Sequence, residues 1–395
     1  MSVWDDLIGQ EALVSRLATA VDEAAAVLAG TVLAGTGKAG AGMTHAWLFT
    51  GIPGSGRSTA ARAFAAALQC PRMPPGCGDC LSCHQVRQGA HADIEVVRPA
   101  GLSYGSHEAR KLVRQAATSP TGRRWRIVLF EEADRATEHA ANALLKAIEE
   151  APPRTVWLLC APTPHDLMMT LRSRCRPATL RTPPAAAIAD ALVQRDGTDR
   201  ELAIKAARAS QGDIRRARQM TIDQEARNRR DEVLALPCLL TGVGPAVTAA
   251  ATLMAAATAD ARATTEELDA IETADLRRAL GENGEGRMPP GTAGALRELK
   301  ERQRSRAIRI RRDSLHRALL DMASYYRDVL VLQFGSTTEL VNPDRIAELL
   351  TAASSGTPEE TLRRLDAIME CRNRIDANVT PLLAVEAMSL ALRTL

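Results

Sequence analysis

The stretch from Ala46 to Cys83 constrains this chain more than any other. An apolar run, Ala46-Trp47-Leu48-Phe49-Thr50, leads into Gly51-Ile52-Pro53-Gly54-Ser55-Gly56-Arg57-Ser58-Thr59. An alanine-rich segment to Gln69 follows, and then Cys70, Cys77, Cys80 and Cys83. The order is strand, glycine loop, helix. Glycines at this spacing let backbone N–H groups close around phosphates, and the N-terminus of the following helix adds its own amides. The candidate nucleotide-binding residues are Gly51, Gly54, Ser55, Gly56, Arg57, Ser58 and Thr59, with the Ser58 hydroxyl in the place that holds magnesium. Arg57 stands where a phosphate loop carries lysine. It keeps the charge but replaces a compact ammonium by a wide planar fork, so binding of ATP or ADP with magnesium is more compatible with this loop than fast hydrolysis is. The plainer alternative is a Gly/Pro turn that joins strand to helix and binds nothing.

The cysteines read C-x6-C-x2-C-x2-C, with Pro74, Pro75, Gly76 and Gly78 supplying tight turns between them. Paired C-x2-C steps bring thiolates onto one tetrahedral ion, and four thiolates leave no open position, which predicts a structural zinc rather than a catalytic one. Because Cys80 belongs to both C-x2-C steps, the spacing does not say which sulfurs share a turn. His84 adjoins the last cysteine and is read as a bystander. Cys160, Cys175, Cys238 and Cys371 are scattered and read as ordinary thiols.

Further along, Asp93 to Val97 reads as a second strand, and Ser106 to Ala117 as a helix with Arg110, Lys111 and Arg114 on one side. That side is either a solvated basic face or part of a nucleic-acid path. Arg126-Ile127-Val128-Leu129-Phe130 is the clearest strand, and it ends in Glu131-Glu132-Ala133-Asp134. A strand that delivers acids at its C-terminal end suits the metal-holding and water-polarising half of a nucleotide site. Glu131 would be the metal acid and Glu132 the general base, although a surface acidic turn would look the same. A helix follows from Glu138 to Glu150, then a buried-type strand, Val156 to Cys160, and then Ser173-Arg174-Cys175. Near the start, residues Trp4 to Ala29 read as a short turn followed by an amphipathic helix, and Gly30 to Gly42 as a flexible loop. The latter contains Gly35-Thr36-Gly37-Lys38, which imitates a phosphate loop but has Val32 and Ala39 where glycine and a hydroxyl are required.

With Gly9-Gln10-Glu11, the phosphate loop, the cysteine insertion, Asn142-Ala143-Leu144-Leu145-Lys146, Glu149-Glu150-Ala151-Pro152-Pro153 and Ser173-Arg174-Cys175 in that order, the chain resembles the AAA+ clamp-loader subunits of bacterial DNA polymerase III. The resemblance implies a RecA-like α/β domain with a zinc knuckle, a helical lid and an all-α collar. The expected divisions are 1–180, 181–230 and 231–395, with the zinc insertion at 70–83 and a disordered insertion near 279–297. It also implies a hetero-pentamer with gamma/tau and delta subunits that places a sliding β clamp on primed DNA. Arg174 would act in trans as an arginine finger on a neighbour's ATP, and Arg215, in Gly212-Asp213-Ile214-Arg215, would be a sensor on the lid. The family's motor subunits carry a polar sensor after the Val156–Cys160 strand, whereas this chain has Ala161 and Pro162 there and Thr163 one place late. Together with Arg57 and Glu131 this favours a stationary subunit that presents its arginine over an active gamma-type ATPase motor. A zinc-dependent nucleic-acid-binding module is the third reading.

Bulk properties set the remaining bounds. A chain of 395 residues with 46% hydrophobic and 25% charged content has room for two or three domains, and its 3% aromatic content favours helices over a β-sandwich. A formal charge of +3 is too small to diagnose a partner, so local basic clusters matter more. No run approaches a membrane span and the first residues lack a signal-peptide pattern, so a cytoplasmic protein is expected. In the second half, Asp213 to Ala226 reads as one lid helix. Arg302, Arg304, Arg306, Arg309, Arg311 and Arg312 precede an amphipathic helix, Leu315 to Leu332, as a solvated face or as a contact with DNA or an acidic partner. A final helix closes the chain from Asn378.

Overall fold

The five strands of the first unit are all parallel, and their order explains which of them are apolar throughout. The computed structural model describes residues 2–29, 42–99, 101–122, 124–281 and 293–393. It divides into two units, Met1–Pro99 with Ser103–Arg218, and Gln219–Leu395 with Ala100–Leu102. The expected loop at 30–41 lies outside the described residues.

In the first unit, α1 (Glu11–Leu28), β1 (Ala46–Thr50), α2 (Arg57–Gln69), α3 (Leu81–Gln88), β2 (Ile94–Val97), α4 (Ser106–Ala116) and β3 (Arg126–Phe130) come first. They are followed by α5 (Glu138–Glu149), β4 (Thr155–Ala161), α6 (Met169–Arg172), β5 (Arg176–Thr179), α7 (Ala185–Asp196), α8 (Arg200–Ser210) and α9 (Ile214–Ile222). The sheet order is β2-β3-β4-β1-β5. The three central strands, β1, β3 and β4, are buried at every residue. Both sheet faces are covered, and successive residues alternate between them: Trp47, Phe49, Ile127 and Leu129 pack with the α1–α3 side, and Leu48, Val128, Phe130 and Trp157 with the α4–α5 side. Helix α2 approaches closely because Ala60, Ala61, Ala65 and Ala67 are fully buried against the sheet, with Phe64 set edge-on to Trp47 at 5.1 Å.

Sequence pattern did not reveal β5. Arg176-Pro177-Ala178-Thr179 carries no apolar run, yet it pairs with β1 in register Leu48↔Pro177. An edge strand tolerates proline, which has no N–H to donate, and the Pro177 carbonyl accepts from Arg16 Nη2 at 3.0 Å.

The second unit is helical: α10 (Gln224–Leu239), α11 (Val243–Ala279), α12 (Ala293–Gln333), α13 (Ile346–Ser355), α14 (Pro358–Asp376) and α15 (Pro381–Ala391). The parallel α/β sheet followed by helices is the architecture expected. The details differ in four places, the first being that the helix expected over Leu315 to Leu332 is the C-terminal part of α12, which also carries the basic stretch Arg302–Arg312. The helix expected from Asp213 to Ala226 breaks at Asp223, whose carboxylate accepts from Ala226 N at 3.1 Å and caps α10. The insertion expected at 279–297 is helical at its flanks, since α11 runs to Ala279 and α12 opens at Ala293; residues 282–292 lie outside the described residues. The closing helix begins at Pro381, beyond Asn378 at φ 63°.

Helices α11 and α12 run antiparallel, as their pairs show: Arg306 meets Asp269 and Glu272, while Arg317 meets Asp260. Arg312 pairs with Asp376 at 3.0 Å. Part of the basic stretch therefore serves the helical packing, with the acids holding the Arg306 guanidinium well above its ordinary pKa. Inside this unit Arg230 bonds the buried Asp321 at 3.2 Å, and fully buried Asp328 accepts from Asn342 N and Nδ2 at 2.7 and 2.9 Å. These bonds satisfy charges that burial alone would penalise.

Candidate functional site

The loop between β1 and α2 is shaped by its glycines. Gly54 has φ 84° and Gly56, which caps α2, has φ 92°, a region that side chains disfavour. Gly51 N donates to Pro162 O after β4 (3.1 Å) and Ala60 N to Gly56 O (2.7 Å), so the loop is tied at both ends. The α8–α9 turn packs on it: a Cβ at Gly54 would fall 2.1 Å from Asp213 Cγ, and one at Gly212 would fall 2.4 Å from Thr182 Cγ2. A carboxylate thus stands against the glycine loop.

The charged groups near the loop divide into those left without hydrogen-bond partners and those paired within the chain. Arg57 is largely buried, and burial lowers its pKa against the attraction of Cys160, Asp134, Glu132 and Asp166. Its Nη1 is buried without a hydrogen-bond partner among the described residues, as are Ser55 Oγ and Asp134 Oδ1. Burial also raises the Asp134 pKa and pushes the Cys160 thiol, which faces Ser58 and Arg57, up to about 12. Glu131 Oε1 accepts from Arg62 Nε and Nη2 at 3.1 and 3.0 Å, and its Oε2 accepts from Arg98 Nε. Glu132 sits at φ 55° and pairs with Arg135 at 2.8 Å. Thr163 caps the turn Pro164–Asp166, with its Oγ1 accepting from His165 N at 3.2 Å. Thr59 and Arg215 are exposed.

Arg174 lies between α6 and β5, on backbone fixed by Arg174 N to Leu171 O and Cys175 N to Arg172 O, both 3.2 Å. Its Nε donates to Glu149 Oε1 at 2.5 Å, and its Nη1 to Thr170 O at 2.7 Å. Arg110, Lys111 and Arg114 are exposed on α4, opposite buried Ala109, Leu112 and Ala116.

The cysteines do converge. The sulfurs of Cys70, Cys77, Cys80 and Cys83 all lie within 4.8 Å of one another. Cys70 Sγ is 3.7 Å from Cys77 Sγ and 3.9 Å from Cys80 Sγ. A tetrahedron with metal–sulfur bonds of ~2.3 Å has edges of ~3.8 Å, so the donor set fits zinc, which would supply a closed structural crosslink here. Three pieces of backbone deliver the four thiols: Cys70 is the C-cap of α2, Cys77 lies between Gly76 and Gly78, and Cys80 and Cys83 sit at the N-cap and third residue of α3. Amide N–H groups of Asp79 and Cys80 lower the Cys77 pKa to about 7, whereas burial raises those of Cys80 and Cys83. His84 is exposed. The N-terminal segment is stitched to this cluster through Val3 N to Gly76 O at 3.0 Å.

Sequence reasoning missed Arg62, Arg98 and Asp213. Arg62 left a trace, as a lone charge among buried alanines of α2; Arg98 and Asp213 left none.

Comparison with known proteins places these motifs. Residues 36–184 match the family model described as DNA polymerase III, delta subunit. The chain is 30% identical over 172 residues, 43% of its length, to DNA polymerase III subunit gamma/tau of Mycobacterium tuberculosis. It is 31% identical over 157 residues, 39% of its length, to DNA polymerase III subunit delta′ of Bacillus subtilis. These matches span only 27% and 47% of the two relatives. A gamma subunit-related DNA polymerase III protein of Thermotoga maritima aligns over 88% of this chain and 93% of its own, with 16% identity and a TM-score of 0.38. Over these stretches the chain is similar to DNA polymerase III subunits of both the gamma/tau and the delta′ kind, at about equal identity.

Proposed function

We propose that this chain is a delta′-type AAA+ subunit of a DNA polymerase III clamp loader. In this reading it stands beside gamma/tau and delta subunits in a hetero-pentamer, helps load the sliding β clamp onto primed DNA, and lends Arg174 to a neighbour's ATP. The observation that carries it is the state of Glu131, whose two carboxylate oxygens are spent on Arg62 and Arg98. A carboxylate so engaged is a poor magnesium ligand. Arg57 in the lysine's place, Glu132 paired with Arg135, and Thr163 committed to a turn support the same reading: a loop that can hold ATP or ADP but is ill equipped for hydrolysis. Zinc at Cys70, Cys77, Cys80 and Cys83 would be structural, and the exposed Arg110, Lys111 and Arg114 would face the DNA. The lid would span 181–230 and the collar 231–395.

The test is a reconstituted loader. Arg174→Ala should assemble normally and lose clamp-stimulated ATP turnover at one site, since an arginine finger contributes roughly 10³- to 10⁵-fold there. Unchanged turnover would sink the reading. A gamma-type motor is the second reading, favoured by the gamma/tau similarity over 172 residues; steady-state hydrolysis by the purified chain that vanished in Glu132→Gln would establish it instead.

A further inference from the structure

We propose that Glu149 holds Arg174 while the chain is alone and competes for its guanidinium with the phosphoryl oxygens of the neighbouring subunit's nucleotide. This rests on the reading of Arg174 as a finger. It adds a residue that sets how readily the finger is released.

A guanidinium has five N–H donors. Here Nε donates to Glu149 Oε1 and Nη2 is ion-paired with the same oxygen, while Nη1 divides between Thr170 O at 2.7 Å and Ser173 Oγ at 3.2 Å. Among the described residues, the Nε–Nη2 edge is thus turned to Glu149 and Nη1 to its own two acceptors. A bidentate grip on a phosphoryl group takes two parallel N–H bonds, so the fork cannot grip while Glu149 keeps the Nε–Nη2 edge.

The exchange is feasible because the hold is weak. The Arg174 and Glu149 side chains are 34% and 44% exposed, and pairs this exposed contribute little in water. Glu149 is also the last residue of α5, where the negative end of the helix dipole disfavours a carboxylate. A phosphoryl group carries more charge and presents several oxygens, so it can outcompete a single carboxylate oxygen. Motion is confined to the side chain, because buried Leu171 and Cys175 anchor the backbone on either side. The contrast is Glu131, only 6% exposed and gripped by two arginines, which has no such freedom.

The experiment compares loaders reconstituted with full-length wild type, Glu149→Gln, Arg174→Ala and the double variant, measuring clamp- and DNA-stimulated turnover against ATP concentration. Gln keeps the size and an acceptor but removes the charge. Glu149→Gln should lower the ATP concentration for half-maximal turnover roughly two- to fivefold with kcat held, and the shift should vanish in the double variant. If Arg174→Ala abolishes the finger-dependent turnover while Glu149→Gln leaves half-saturation unchanged or lowers kcat, the competition is refuted and the finger stands. If Arg174→Ala has no effect, the finger reading fails and this proposal with it.

Discussion

The cysteine cluster and the phosphate loop are joined by α2, one at each end of it, yet they use their side chains in opposite ways. At the C-terminal end four thiols point at a common centre and have no stronger use among themselves. At the N-terminal end the acid and base positions are paired off inside the chain: Glu131 with Arg62 and Arg98, Glu132 with Arg135. A motif match therefore carries different weight in the two places. Convergent donors imply a ligand. Acids already paired with neighbouring arginines would have to give up those partners before they could serve a ligand.

The largest effect should come from breaking the convergent side. Cys80→Ser removes the sulfur that serves both C-x2-C steps, and it should abolish zinc in metal analysis and cost roughly 4 kcal/mol of stability in urea denaturation. Because Val3 is bonded to Gly76 and Trp4 packs beside it, the emission of Trp4 should shift at the same time. Retained stability would mean that the sulfurs merely pack.

A smaller effect is expected from Glu131→Gln. If Glu131 is a structural anion, the variant should lose about 1–2 kcal/mol, less than a fully buried pair because Arg98 is 56% exposed, with ADP–magnesium affinity unchanged. A marked fall in magnesium-dependent affinity without loss of stability would return Glu131 to metal binding and erase the contrast.

The smallest effect concerns Asp134. Burial raises its folded pKa, so the folded state holds a proton that the unfolded chain releases as pH rises past the ordinary carboxylate value of ~3.9. Stability is then lost between the unfolded and the folded pKa, and the full loss persists above the latter. Asp134→Asn should stabilise by up to about 1 kcal/mol at neutral pH, with the gain fading below about pH 4. A gain independent of pH would assign the cost to packing instead.

How legible these features were depended on their range. Strands β1, β3 and β4 were visible as apolar runs because a central parallel strand is buried on both faces. Strand β5 was not, since Arg176-Pro177-Ala178-Thr179 becomes a strand only through pairing with β1. The cysteine cluster was legible in outline, and α3 settled which turn Cys80 and Cys83 share. At the glycine loop the strand–loop–helix order was legible, while the partners of Glu131 and Glu132 were hidden.

What the sequence determined by itself is local: the glycine loop and its arginine, the cysteine spacing, the apolar strands and the limits of a few helices of the first unit, such as α4 and α5. These follow from steric preference and from periodicity within a few residues. The tertiary structure alone decided which charges neutralise one another. Glu131 meets Arg62 across 69 positions and Arg98 across 33, and Arg174 meets Glu149 across 25. Such pairs are set by strand order and helix packing, because Coulomb attraction acts on distance in space and is indifferent to distance along the chain.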